Sequence, residues 1–200
     1  QWAAQQARND AQAKYARFQE LRDRALFHST LMTGMDIAAN LKAARNKATG
    51  ALELFSASGG KPPSDADGYS PAQIREISLG KFESLLLLAE TKVRRAPGLP
   101  ADAGQPVEAL TILDGVESWA RDTRAYHLVR ARCLEAAQRP DDAAKERQQA
   151  DAIDPATAID NFLVGDQEFQ ENNLDAAIRH FDRALRLQPD HFWAHHFPAV

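Results

Sequence analysis

Two hundred residues, 44% hydrophobic and 26% charged with a net charge of −4, describe a globular chain able to bury a core. Collagen-like, mucin-like and fully disordered classes are excluded, and the longest apolar run, Leu85 to Ala89, is far short of the roughly 20 residues a spanning helix needs. Alanine, at 37 residues against 10 glycines and 10 prolines, tilts the chain towards helix.

Residues 1–31 read as one long polar helix, with Ala4, Ala7, Ala11, Phe18, Leu21 and Ala25 at three- and four-residue spacings. Thr33-Gly34 breaks it, and a second helix from Asp36 to Phe55 places Ile37, Leu41, Ala44, Ala48 and Leu52 on one face. Residues 1–56 are thus expected to form a helical hairpin. The Ser, Gly and Pro of SASGGKPPSDADGY (56–69) mark a linker, taken as 57–70. Ser70 is a natural N-cap, Pro71 suits the first helical position and Gln73 completes a capping box, which predicts a helix to about Arg95. A loop over 96–106 separates it from a predicted helix over Val107–Trp119.

From residue 123 onwards the sequence repeats itself. Ala131, Ala143, Ala150 and Pro155 recur 34 residues later as Gly165, Ala177, Ala184 and Pro189, and Asp141 recurs as Asp175. The small residues allow two helices to approach closely, Phe181 fills the space beside them, and the prolines end a helix. One more step back places Ala109, Leu113 and Val116 at repeat positions. This pattern resembles the tetratricopeptide repeat, a helix-turn-helix unit that stacks into a superhelix. The departures are Asn161 where that family often has Trp, Glu168 where it has Tyr, and Arg147 at the place of Phe181.

The resemblance implies an all-α fold: a right-handed superhelix of about four stacked hairpins, the first two degenerate, plus a truncated final helix. Its divisions are 1–56, 71–122 with the 96–106 insertion, 123–156, 157–190, and 191–200 as the start of a further unit. The apolar Phe192, Trp193 and Phe197 in that last segment, with no initiating Met at the start, make the sequence read as a piece of a longer protein.

A stacked-helix array presents a face lined by the first helix of each unit, carrying here Leu128, Arg132 and Glu135, then Phe162, Asp166 and Phe169. Mixed apolar and charged anchors of this kind suit a protein or peptide partner. The Lys and Asn pattern that related repeats use to clamp a terminal carboxylate is missing, which disfavours a chaperone-tail receptor.

Catalytic signatures do not emerge from the sequence. It contains no Gly-rich phosphate loop, no kinase catalytic-loop set and no paired carboxylates at an acid/base spacing, so neither a catalytic residue nor a cofactor is expected. His191 and His195 lie one turn apart but have no supporting ligand on their helix, so no metal site is expected either. The single cysteine, Cys133, excludes an internal disulfide, fits a reducing, cytoplasmic setting and reads as a small buried hydrophobe. Residues 121–200 carry 10 Lys/Arg against 14 Asp/Glu, which disfavours a nucleic-acid surface. No membrane insertion is expected.

The string AIRHFDRALRLQPDHFWAHHF, with TRAYHLVRAR and FLVGD upstream, is similar to the region that follows the catalytic domain in bacterial serine/threonine protein kinases of the planctomycete type. That resemblance implies a full protein phosphorylating Ser or Thr with ATP and magnesium, none of whose catalytic residues lies in this chain. The expected role is a non-catalytic interaction scaffold that docks substrates or regulators. The alternative is a structural spacer or dimerisation module of the same kinase, self-associating through the N-terminal helix or the C-terminal end.

Overall fold

Ser70 and Gln73 make the reciprocal capping box that their spacing predicts: Ser70 Oγ accepts the Gln73 N–H at 3.2 Å, and Gln73 Oε1 accepts the Ser70 N–H at 3.0 Å. In the computed structural model the described residues are 2–30, 36–56, 63–94, 105–170 and 172–188. Among them are nine α-helices, a short 3-10 turn at Asp65–Asp67 and no strand. The helices are α1 (Trp2–Thr30), α2 (Ile37–Ser56), α3 (Pro71–Val93), α4 (Gln105–Asp114), α5 (Ser118–Arg121), α6 (Arg124–Ala136), α7 (Pro140–Asp151), α8 (Ala158–Gln170) and α9 (Leu174–Leu187). The expected break at Thr33-Gly34, the 96–104 part of the second loop, Pro189 and the 191–200 segment lie outside the described residues. The chain divides into two compact units, residues 1–91 and 92–200.

In the first unit α1 and α2 form an antiparallel hairpin, since Phe18 meets Phe55 while Leu21 lies beside Gly50. The stripe of α1 is shorter than its alanines predict: Ala11, Phe18, Leu21 and Ala25 are buried, whereas Ala7 is exposed. The large side chains decide this. Phe18 and Phe55 pack edge-to-face at 5.3 Å between ring centroids, and Tyr69 joins Phe55 at 5.8 Å. Alanine beyond reach of them has too little area to pull the helix end inwards.

Helix α3 runs parallel to α1 with a steady offset: Gln12 pairs with Gln73 at 2.7 Å, Tyr15 with Glu76, Phe18 lies on Gly80, and the Arg22 charge faces Glu83. Close approach at the centre requires Gly80. A Cβ there would lie 2.8 Å from Phe18 Cε1, inside van der Waals contact. Glu83 is 1% exposed, and its burial pushes the carboxyl above the usual carboxylate range, with Arg22 opposing the shift. The C-terminal end of α3 is held by Arg45 from α2, whose Nη2 donates to the Thr91 carbonyl at 2.5 Å.

The second unit is built on the repeat. Helices α6 and α8 begin 34 residues apart, as do α7 and α9. The turns between them match bond for bond. Gln138 and Asn172 both adopt positive φ, 59° and 65°. Their N–H groups donate to Glu135 and Phe169 carbonyls at 2.9 and 3.0 Å, and the next N–H groups, of Arg139 and Asn173, donate to Leu134 and Glu168 at 2.9 and 2.8 Å. These bonds satisfy carbonyls that a helix end leaves open and turn the chain back on itself.

The positions named for the repeat lie where close helix contact needs small residues: Ala131, Ala143, Ala150, Ala177, Ala184 and Gly165 are all buried, as is Phe181. Pro155 is half-buried ahead of α8. One step earlier, Ala109, Leu113 and Val116 are buried too. The helix predicted over Val107–Trp119 is instead interrupted between Asp114 and Ser118. Arg121 stabilises the break by donating to the Asp114 carbonyl at 2.6 Å and the Val116 carbonyl at 3.0 Å.

Candidate functional site

The six residues expected on the partner face fall into two equivalent sets of three, one turn-spaced stripe on α6 and one on α8. Their surroundings differ. On α6, Leu128 is 6% exposed, Arg132 is half-buried and Glu135 is exposed, held by an ion pair to Arg147 of α7. On α8, Phe162 is 8% exposed and packs on Phe181 of α9 at 5.8 Å between centroids, and Asp166 is 9% exposed. Phe169, at the C-terminal end of the same stripe, stays 39% exposed. The central anchors are therefore already inside the fold, and the stripe opens at Glu135 and Phe169.

Asp166 has a partner that the stripe did not reveal. Arg94, the residue following α3, brings Nη2 to 3.7 Å from Asp166 Oδ2, with both side chains largely shielded from water, 14% and 13% exposed. Arg94 stands one 34-residue step before Leu128 and two before Phe162. Its place is thus the same stripe, carried back to the end of α3. Carrying the stripe itself back one step from Leu128 would have singled it out; alignment on small residues passes it by.

Beside the stripe, each hairpin carries a polar bridge at equivalent positions. His127 Nδ1 of α6 lies 2.6 Å from Glu146 Oε2 of α7, and one step later Asn161 Oδ1 of α8 lies 3.3 Å from His180 Nδ1 of α9. Glu146 uses its other oxygen for Arg130 Nε at 3.0 Å, and Arg130 reaches on to Asp114 at 3.2 Å, so α4, α6 and α7 share one charged cluster. Asn161 is fully buried and spends its amide on the Pro155 and Thr157 carbonyls at 3.0 and 2.9 Å. The side chain thereby ties the loop before α8 to its first turn. Burial lowers the His180 pKa below its ordinary value; Glu168 opposes this while Arg124, Arg183 and Arg179 add to it.

Asp160 connects the hairpins. Thr157 and Asp160 form a capping box at the start of α8, with the Asp160 N–H donated to Thr157 Oγ1 at 3.1 Å and the Thr157 N–H to Asp160 Oδ2 at 2.9 Å. The other oxygen, Oδ1, accepts the Ala125 N–H of α6 at 2.7 Å. One carboxylate, 1% exposed, thereby bonds the starts of α6 and α8, the first helices of two successive hairpins. Arg124 complements it by donating to the Ala150 and Ile153 carbonyls at 3.0 and 3.2 Å and pairing with Asp151 at 3.0 Å, closing the end of α7.

Cys133 is fully buried on α6. Among the described residues no group of three or more His, Cys, Asp or Glu is arranged to hold a metal ion, and no helix is long and apolar enough to cross a membrane. His191 and His195 lie outside the described residues. Comparison of the chain with family models, with curated proteins and with solved structures finds no match.

Proposed function

We propose that this chain is a non-catalytic interaction scaffold of tetratricopeptide type, in which α6–α7 and α8–α9 are consecutive units of a right-handed superhelix. The observation that carries the reading is the recurrence of whole turns: helix starts, left-handed residues and capping bonds repeat at the 34-residue step. The partner lies along the stripe of α6 and α8, engaging first the exposed Glu135 and Phe169. In this reading, supported by the resemblance of the C-terminal segment to the region after a bacterial kinase domain, the scaffold belongs to a cytoplasmic serine/threonine kinase and docks its substrates or regulators. No phosphotransfer is expected from this chain itself.

A second reading, a spacer or dimerisation module, draws on Leu174 and Ile178, which sit one turn apart on α9 and are 50% and 45% exposed. Light scattering tests its dimerisation form, since a monomer across micromolar concentrations removes it. For the first, displayed random 12-residue peptides are selected on the folded chain and rechecked on Phe169→Ala/Glu135→Ala. Both substituted residues are exposed, so the fold is retained, and selected peptides should lose about tenfold in affinity, equivalent to ~1.4 kcal/mol. Peptides indifferent to the double substitution would move the partner face elsewhere.

A further inference from the structure

The geometry points to an internal occupant of the partner face: Arg94 holds Asp166 in place of a cationic side chain of the partner, so that the partner is a segment bearing Arg or Lys next to an apolar residue and must displace Arg94 to bind. This rests on the docking role proposed for the α6–α8 stripe.

Three observations support it. Arg94 lies in the stripe's own register, one step before Leu128 and two before Phe162, and brings Nη2 to 3.7 Å from Asp166 Oδ2, so the acidic group of the face is already matched by a cation from this chain. The pair is shielded, at 14% and 13% side-chain exposure, so its strength depends on a cation being present beside the Asp166 carboxylate. The flanking positions are apolar: Phe162 lies one turn before Asp166 and Phe169 one turn after it, the latter still 39% exposed. A partner offering a basic side chain to Asp166 and an apolar one to Phe169 thus matches the face in charge and in shape. Arg132 stands at the equivalent place on α6 and carries the opposite charge, so a basic residue is accepted over α8 and disfavoured over α6.

An internal occupant reduces apparent affinity by the fraction of time the face is free, so occupancy of about 90% weakens a partner about tenfold. Substitution Arg94→Gln removes the charge while keeping a long polar side chain; Arg94→Lys retains the charge. The 12-residue peptide selection is run on the chain as it is and on Arg94→Gln, with thermal unfolding verifying that each variant is folded. The expected result is that Arg94→Gln enriches peptides carrying Arg or Lys beside an apolar residue. Those peptides bind the unsubstituted chain and Arg94→Lys about tenfold more weakly, and Asp166→Asn in the Arg94→Gln background abolishes their binding. Equal affinities for Arg94→Gln and the unsubstituted chain, or peptides without basic residues, overturn the inference and leave the docking role standing. Failure of every form to select any peptide overturns both.

Discussion

The hairpins α6–α7 and α8–α9 share helix starts, turn geometry and capping bonds, yet fill the space between their helices in different ways. In the first, Ala131 is buried with Leu134 and Ala143, and Arg147, at the place equivalent to Phe181, is exposed and pairs with Glu135. In the second, Gly165 accepts the ring of Phe181, and a Cβ at Gly165 would stand 2.7 Å from Phe181 Cε1. Removing one methyl on one helix makes room for a ring on the other. The same device recurs in the first unit, where Gly80 receives Phe18. The repeat therefore keeps its backbone geometry while the side chains between its helices differ.

The largest effect should come from the ring itself. Phe181→Ala is expected to destabilise the second unit by about 3–5 kcal/mol, whereas Arg147→Ala, at the equivalent place, should lose less than about 1 kcal/mol. Chemical denaturation of the two variants measures both, and equal losses would remove the distinction between the hairpins.

Next is the joint between them. Asp160→Ala leaves the Ala125 and Thr157 N–H groups without their acceptor and should destabilise by about 2–3 kcal/mol. Thr123→Ala, which removes the cap of α6 and the hydroxyl's bond to the Ala120 carbonyl but leaves α8 untouched, should lose about 1 kcal/mol. A loss at Asp160 no larger than at Thr123 would mean that the carboxylate caps α8 alone.

Gly165→Ala sharpens the volume argument. It should destabilise by about 1–3 kcal/mol, and its loss should shrink in the Phe181→Ala background because the clash partner is gone. The reverse exchange in the first hairpin, Ala131→Gly, should lose about 1 kcal/mol through backbone freedom alone. Additivity in the double variant would show that the close approach is not what selects glycine.

The smallest effect is a pH dependence. Burial lowers the His180 pKa relative to the unfolded chain, so its contribution to stability is fully present above the unfolded value near 6.5 and fades as pH falls through the folded one. His180→Gln should flatten stability between about pH 7 and 5, read from unfolding midpoints across that range. An unchanged slope would place the acid sensitivity elsewhere.

Much of the architecture was legible in the residues because local rules govern it. The Ser70–Gln73 capping box, the helices that flank it and the 34-residue step all follow from groups within a few residues of one another. The helix expected to run unbroken to Trp119 failed where locality ends, since Arg121 folds back to satisfy carbonyls five and seven residues away. The stripe residues were legible as a set. Their burial was not, because it depends on α9 and on Arg94, which periodicity on one helix does not report.

The sequence by itself determined that the chain is helical, where most helices start and stop, and that a unit recurs near its C-terminal end. Propensity, capping and spacing act over one or two turns and are written in neighbouring residues. Only the tertiary structure decided that Asp160 caps two helices at once, that His127–Glu146 and Asn161–His180 are the same bridge in different chemistry, and that Arg94 meets Asp166. Those pairs are separated by 19 to 72 residues, and their energies arise from burial and charge that exist only once the helices are packed.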